Sequence, residues 1–337
     1  MIPNYISKVQ SGNTLTKEES AHCLRLIFDN EASQGQVEVI LKGLYKNGES
    51  VSEIIGFAQT MRAYMNKIEL GNRDVIDLCG TGGSGKDRFN VSTAMAFIVA
   101  AGGCPVAKHG NYGSKKPNGS FNFLESLDVP INISEDQIKA VFNDTGLCFL
   151  FARQFHPAMK AVAPVRQGLG HRSIFNLLGP LCNPASVNYQ LIGTIDTETA
   201  EKLASAVQEL GTKKTLIIVG GDGRDELSIT GQNHLYEVTT ESITQTTLST
   251  EAWGLSYSEY ACGDSQQNAQ LFQSVMSQND YTHPMAVHVS LNAGAAFYCT
   301  GKVATVKDGY DLAQDIIKSG KGWMLYQRVS NVLSQKI

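Results

Sequence analysis

The sequence predicts an α/β protein in two parts, a small all-helical N-terminal unit and a larger α/β unit with a central, mostly parallel sheet. Three observations carry this. Residues 1 to about 70 hold apolar positions at helical spacing with almost nothing strand-like. From Val75 the texture becomes short apolar run, glycine turn, Ala-rich helix and second apolar run, which is the grammar of strand, turn, helix, strand. The length, 337 residues at 42% hydrophobic, suits two domains or one large one and is ample for a sizeable core.

Taken in order, Thr16 with Glu18 and Glu19 reads as a helix start, and His22 to Ile27, then Val37, Ile40, Leu41 and Leu44, read as helix faces. Val75 to Cys79 predicts a strand running into the glycine turn 80–85. Ala94 to Ala101 predicts a packed helix, and Val106-Ala107 a strand leading into Lys108-His109-Gly110-Asn111. Later strands are expected at Leu191 to Thr194, Thr215 to Val219, His234 to Thr239 and Ala286 to Leu291, with helices at Glu198 to Leu210 and Val303 to Ser319. The Thr-rich stretch Thr239 to Thr250 reads as polar strand or loop, and no repeat, coiled coil or low-complexity tract is present. The expected division is a helical domain at 1–70, completed by helices around 165–185, and an α/β domain from 73–164 and 186–337.

Composition narrows function. With 28 basic and 32 acidic residues the net charge is −4, which argues against a protein whose main partner is a polyanion. Seven cysteines, scattered singly without a CxxC pair, read as reduced thiols in a cytoplasmic enzyme. The N-terminus lacks a signal-peptide layout. The most apolar stretch, Ala94 to Ala107, is cut by Gly102, Gly103 and Pro105, so no segment is expected to span a bilayer.

The run Gly80-Thr81-Gly82-Gly83-Ser84-Gly85-Lys86-Asp87 fits two phosphate motifs and fails the required context of both. As GxGxxG it lacks an acid about 20 residues on. As GxxxxGK it offers Asp87 where Ser or Thr must bind Mg²⁺. What survives is a glycine turn whose backbone N–H groups can approach an anion, against the plain alternative of a tight turn without ligand. Asn90, Ser92 and Thr93 sit where helix-capping groups stand, and a polar helix N-terminus also favours phosphate. After Lys108-His109-Gly110-Asn111 comes a Gly, Ser, Asn and Lys loop, Tyr112 to Ser120, giving three lysines within nine residues of an acidic protein. Diphosphate is the anion that arrangement suits.

These residues form an ordered series: GTGGxG (80–85), FNxST (89–93), KHGN (108–111), HPAMKxVAPVR (His156 to Arg166), IFNLLGPLxNP (Ile174 to Pro184), GDGxDE (Gly221 to Glu226) and LNAGAA (Leu291 to Ala296). The series resembles the anthranilate phosphoribosyltransferase family over nearly the whole chain. The resemblance implies a fold shared with the pyrimidine nucleoside phosphorylases and a homodimer formed through the helical domain. It implies transfer of phosphoribosyl from phosphoribosyl diphosphate (PRPP) to the amine of anthranilate, in tryptophan synthesis from chorismate. It places PRPP on Gly80, Gly83, Ser84, Arg88, Asn90, Val91, Ser92, Thr93, Lys108, Asn111, Tyr112, Gly113, Ser114, Lys115, Lys116 and Ser120. Anthranilate falls on Gly80, Asn111 and Arg166, and Mg²⁺ on Ser92, Asp225 and Glu226.

The chemistry asks for those residue types. As diphosphate leaves, C1 of the ribose becomes cation-like, so the task is to stabilise an anion with metal and cations, and no nucleophile or obligatory base is implied. Arg166 offers a planar fork for a carboxylate, its plain alternative being a surface ion pair. Asp225 and Glu226 supply hard oxygen donors, or are a solvated acidic turn. His109 and His156 read as positioning or packing residues, and Asn176, Asn183 and Asn292 as turn fixers. The chain departs from the family at Ser84, Arg88, Tyr112, Lys115 and Lys116, which adds positive charge and predicts retained or tightened PRPP binding with altered loop dynamics. A pyrimidine nucleoside phosphorylase-like enzyme, suggested by Asn118-Gly119-Ser120 and Leu124 to Leu127, and a catalytically diverged nucleic-acid binder stay open as alternatives.

Overall fold

The computed structural model describes residues 1–71, 73–82, 89–113, 117–253, 255, 260 and 262–334. Four helices come first: α1 (Ile2–Gln10), α2 (Lys17–Phe28), α3 (Gln34–Asn47) and α4 (Val51–Tyr64). Reciprocal capping boxes start three of them, with the Thr16, Ser33 and Ser50 hydroxyls accepting from the backbone of Glu19, Gln36 and Glu53 while those side chains reach back. Glu53 does more than cap. Buried at 1% exposure, it also accepts the Leu15 N–H at 2.8 Å and so ties α4 to the turn before α2.

The α/β part then runs β1 (Ile76–Gly80), α5 (Val91–Ala101), β2 (Val106–Gly110), α6 (Ser120–Ser126), α7 (Glu135–Thr145), β3 (Leu147–Phe151) and α8 (Ala152–Phe155). Two short helices, α9 (Ala163–Gly168) and α10 (Phe175–Leu178), precede β4 (Tyr189–Thr194), α11 (Thr197–Leu210), β5 (Lys214–Val219), β6 (Asn233–Val238) and β7 (Ile243–Leu248). Four helices close the chain: α12 (Ser265–Ser277), α13 (Pro284–Cys299), α14 (Val306–Lys318) and α15 (Lys321–Ser334).

Among the described residues one sheet forms, in the order β3-β2-β1-β4-β5-β6-β7. The first five strands are parallel, and β6 and β7 extend the sheet antiparallel. Winding reverses between β1 and β4, where the chain leaves toward β2 on one side and β5 on the other. Beyond the carboxyl ends of strands, such a switch point opens a crevice. Here β1 and β4 end on paired glycines, Gly80 opposite Gly193.

Two hydrophobic cores result. In the larger one α5, buried along most of its length, packs under the sheet with α13 and α15. In the other, Leu24, Leu41 and Phe57 join Val165, Phe175 and Leu178 of α9 and α10 and Leu203 of α11, and the Phe57 and Phe175 rings meet edge-on at 6.1 Å. No helix among the described residues is long and apolar enough to cross a membrane.

The structure corrects one strand and adds another. Ala286 to Leu291, expected as a strand, lies inside α13, whose 16 residues start with Pro284 at the first turn. Val287, Val289 and Leu291 alternate with His288 and Ser290 at the period of a strand. The helix buries both polar residues and bonds them to Leu227 and Gln314, so the alternation does not mark a solvent face. Its apolar surface is consumed by close packing: Gly294 and Gly309 bring α13 and α14 so near that a Cβ on Gly309 would lie 2.4 Å from the Gly294 carbonyl. Leu147–Phe151, unassigned from sequence, is β3, the parallel edge strand beside β2, and its side chains are buried at every position because both faces of the sheet are covered there. The Thr-rich stretch contains β7, whose residues are almost all exposed.

Candidate active site

The crevice at the switch point is built by glycines that let one turn sit on the ends of two strands. A Cβ on Gly80 would lie 2.5 Å from Asp225 Oδ2, and one on Gly193 would lie 1.8 Å from the Asp225 carbonyl oxygen. With both side chains absent, the turn after β5 drops onto the sheet. Asp225 Oδ2 then accepts the Gly82 N–H at 2.9 Å, and the Thr81 N–H donates to Gly193 O at 2.8 Å. Gly82 has φ +65°, a conformation that favours glycine. Gly83, Ser84 and Arg88 lie outside the described residues.

Asp225 and Glu226 are buried, each 9% exposed, so the reading as a solvated acidic turn does not hold. They are held from behind. The Leu227 N–H donates to Asn292 Oδ1 at 2.8 Å, while the Leu227 carbonyl accepts from Asn292 Nδ2 at 3.1 Å and from His288 Nε2 at 2.9 Å. His288 therefore carries its proton on Nε2, and its Nδ1 accepts from the Tyr260 hydroxyl at 2.7 Å. Asn233 Oδ1 grips the other side of the turn through the N–H groups of Gly221 and Ser228. Asn292 thus fixes a turn, as expected. His288 and Asn233 were not singled out from sequence, because nothing local marks a helix residue that will meet a loop 61 positions away.

At the start of α5, Asn90 occupies the N-cap position but its side chain makes no capping hydrogen bond. Its amide donates instead to the Asn118 carbonyl at 3.3 Å. Val91 is buried and Ser92 half-buried, while Thr93 is wholly buried and its Oγ1 has no hydrogen-bond partner among the described residues. The helix N-terminus adds its partial positive charge to this wall.

From β2 comes Lys108, 1% exposed, with Nζ donating to the Leu78 carbonyl at 2.5 Å. Next to it the His109 N–H donates to Asp77 Oδ1 at 3.0 Å. The His109 ring bonds the Gly179 carbonyl through Nδ1 at 3.2 Å and meets His156 Nε2 to Nε2 at 3.2 Å. Asn111 is exposed and accepts the Tyr112 N–H through its own Oδ1, and Gly113 donates to Asn122 Oδ1 at 2.9 Å. Ser120 packs against Gly110, where an added Cβ would lie 3.1 Å from Ser120 Cβ. Ser114, Lys115 and Lys116 lie outside the described residues. Tyr112 places its hydroxyl 2.7 Å from Glu125 Oε1, with the Arg153 guanidinium 4.9 Å above its ring. Its polar atom is thus engaged with the flank of the loop.

Arg166 on α9 is half-buried with its guanidinium carbon 5.2 Å from the Phe175 ring centroid, and burial lowers its pKa. No carboxylate lies within ion-pair distance of it among the described residues, so the surface ion pair is set aside. A second arginine, Arg172, reaches the Thr81 carbonyl at 3.4 Å and was missed from sequence. Asn176 and Asn183 serve the backbone, accepting from Ser173 and Ala185 respectively.

Burial lowers the pKa of His109 to about 3 and of His156 to about 4, from 6.5. Both rings are neutral at pH 7 and bonded to each other, which suits positioning. Because the unfolded chain takes up these protons first, the stability the neutral rings contribute is complete above about pH 6.5 and is lost as pH falls toward 4. Unfolding free energy should drop by up to about 1.4 kcal/mol per pH unit for each histidine in that window. Urea midpoints at about pH 7.5 and about pH 5.5 check this, and equal midpoints contradict it.

A helical bundle beside an α/β domain, with glycine strand ends at the switch point meeting a turn of two buried acids, is the arrangement of a glycosyl transferase. The family model described as glycosyl transferase family, helical bundle domain, matches residues 3–65, and the one described as glycosyl transferase family, a/b domain, matches 72–323. Similar relatives include the anthranilate phosphoribosyltransferase of Geobacillus thermodenitrificans, 38% identical over 98% of this chain and 97% of that protein. That of Halalkalibacterium halodurans is 40% identical over 95% of this chain and 94% of its own length. The crystal structure of the Thermus thermophilus enzyme superposes with TM-score 0.90 at 35% identity, covering 98% of this chain and 99% of that one. A Saccharomyces cerevisiae structure in complex with PRPP and Mg, 24% identical, shares the fold with TM-score 0.90 over 99% of this chain and 98% of its own. The chain belongs to the anthranilate phosphoribosyltransferase family.

Proposed function

We propose that the crevice binds PRPP and anthranilate and transfers the phosphoribosyl group to the anthranilate amine, releasing diphosphate. One observation carries the reading: the carboxylate of Asp225 accepts the Gly82 N–H at 2.9 Å, which sets the acid turn after β5 against the glycine motif at the end of β1, at the switch point of the sheet. Gly80, the N-terminus of α5 from Asn90 to Thr93, Lys108, the loop from Asn111 with Ser120, and Gly83, Ser84, Arg88 and Ser114 to Lys116 are assigned to PRPP. Arg166, Asn111 and Gly80 are assigned to anthranilate.

The donor types fit Mg²⁺: the buried carboxylates of Asp225 and Glu226 and the Ser92 hydroxyl are hard oxygen donors, of the kind taken by a cation that keeps waters and substrate phosphates. When bound, the ion supplies charge to the departing diphosphate. The protein's own part is orientation and charge. In this reading the N-terminus of α5 and the charge of Lys108 on β2 favour the anion, and Arg166 takes the carboxylate so that the amine points at C1. An aniline nitrogen is weakly basic and needs no base before attack, which fits a neutral, internally bonded His109–His156 pair. The same reading assigns residues around 165–185 to the helical domain, supported by their shared core with α1–α4. The homodimer through that domain rests on the resemblance.

Mixing the protein with anthranilate, PRPP and Mg²⁺ tests the reading: anthranilate fluorescence should fall with equimolar release of diphosphate. Diphosphate release without loss of anthranilate would overturn it. Arg166→Lys keeps the charge but loses the fork, so KM for anthranilate should rise about tenfold while KM for PRPP stays within about twofold. Steady-state kinetics with each substrate varied check this, and equal rises in both constants would contradict the assignment.

A further inference from the structure

Asn268 belongs to none of the motifs, yet it is wholly buried in the first turn of α12 and bonded to the candidate site. Its Oδ1 accepts the Gly263 N–H at 3.1 Å. Its Nδ2 donates to Asn90 Oδ1 at 3.0 Å and to Asn118 Oδ1 at 3.3 Å. Asn90 donates in turn to the Asn118 carbonyl, and Asn118 Nδ2 to the Gly263 carbonyl at 3.1 Å. One backbone group sets every direction in this ring. Gly263 N–H can only donate, so Asn268 must turn its oxygen there and its NH₂ toward the two asparagine oxygens. Asn90 must then face Asn268 with its oxygen and Asn118 with its NH₂.

Next to Asn118, Gly119 is held by Asn122. Asn122 Oδ1 accepts from both Gly113 N at 2.9 Å and Gly119 N at 3.0 Å. The two glycines lie close together, since a Cβ on Gly119 would lie 2.2 Å from Gly113 N. Asn118 itself is held by Asn268.

We propose that Asn268 is a positioning residue for PRPP, setting the orientation of the Asn90 and Asn118 side chains. This rests on the reading that Asn90 and the loop from Asn111 with Ser120 bind PRPP. A buried amide network specifies geometry only while each donor meets an acceptor. Asn268→Asp is nearly isosteric, keeps the acceptor for Gly263, and sets an oxygen against the oxygens of Asn90 and Asn118.

Calorimetric titration of PRPP with Mg²⁺, alongside steady-state kinetics, tests the proposal. Asn268→Asp should weaken PRPP binding about tenfold and raise KM for PRPP alike, with KM for anthranilate within about twofold. In a double-mutant cycle, the loss of PRPP affinity in Asn90→Ala with Asn268→Ala should be smaller than the product of the two single losses, because part of the effect passes through Asn90. Unchanged PRPP affinity in Asn268→Asp, or losses that multiply in the cycle, would overturn the proposal. If the Asn268 variants do not fold, Asn118→Ala replaces them in the same cycle with the same two outcomes. A wild-type protein that binds no PRPP would instead overturn the reading of the site itself.

Discussion

Asp225→Asn is expected to lower kcat/KM by about 10²- to 10³-fold while leaving the protein folded. The substitution is chosen because Asp225 has two tasks. Its Oδ2 accepts the Gly82 N–H, which the amide oxygen of asparagine can also do, and its charge faces the crevice, which asparagine cannot replace. The fold anchor survives and the charge is lost. Anthranilate fluorescence decay measured beside circular dichroism separates the two tasks, and activity within about threefold of wild type would sink the assignment of Asp225 to the metal and leaving group. Glu226→Gln should fall in the same direction.

Gly193→Ala is expected to be the most damaging single methyl group in the α/β domain. Its Cβ would stand 1.8 Å from the Asp225 carbonyl oxygen, and the obstacle is backbone on both sides, so no rotamer change relieves it. Either β4 or the acid turn must move, at a cost of about 3 kcal/mol, and activity should be lost with it because the turn carries Asp225 and Glu226. Gly35→Ala, in open space at the second residue of α3, is the control and should leave stability unchanged or slightly raised. Urea unfolding of the two variants decides: equal midpoints would show that the turn does not rest on the end of β4.

The sequence made some of this legible and hid the rest for definite reasons. Local signals were read directly: the helix start at Thr16, the strand into the glycine turn, the Ala-rich α5 and the strand ends at Thr194 and Val219. Resemblance joined motifs that the fold then brings into one crevice, such as Gly80 with Asp225 and Asn90 with the loop before α6. What stayed hidden was partnership across the chain. His288, Asn233, Asn122 and Asn268 each satisfy backbone or amide groups of a loop, and all four sit in helices or strands whose register only the packed structure fixes. The capping reading of Asn90 failed for the same reason, since a distant amide competes for its side chain. Apolar runs failed differently. Leu147 to Phe151 is buried at every position and shows no amphipathic period, whereas Ala286 to Leu291 alternates apolar residues with His288 and Ser290 like a strand, although the helix buries those two polar residues as well.

Tyr112 shows how a departure from a family pattern is read only in three dimensions. By sequence it stands in the anion loop; in the fold its hydroxyl bonds Glu125 and its ring carries Arg153. The substitution therefore adds an aromatic brace at the side of the loop.

Calorimetric titration of PRPP into the wild-type protein, with Mg²⁺ and again with a chelator, bears on the whole site at once. If Asp225, Glu226 and the glycine turn form one site for a metal-borne diphosphate, binding should be saturable with one PRPP per chain and should weaken at least tenfold when the cation is removed. Binding of equal strength in both solutions would mean that the buried acids serve the fold and that the crevice holds its anion without them.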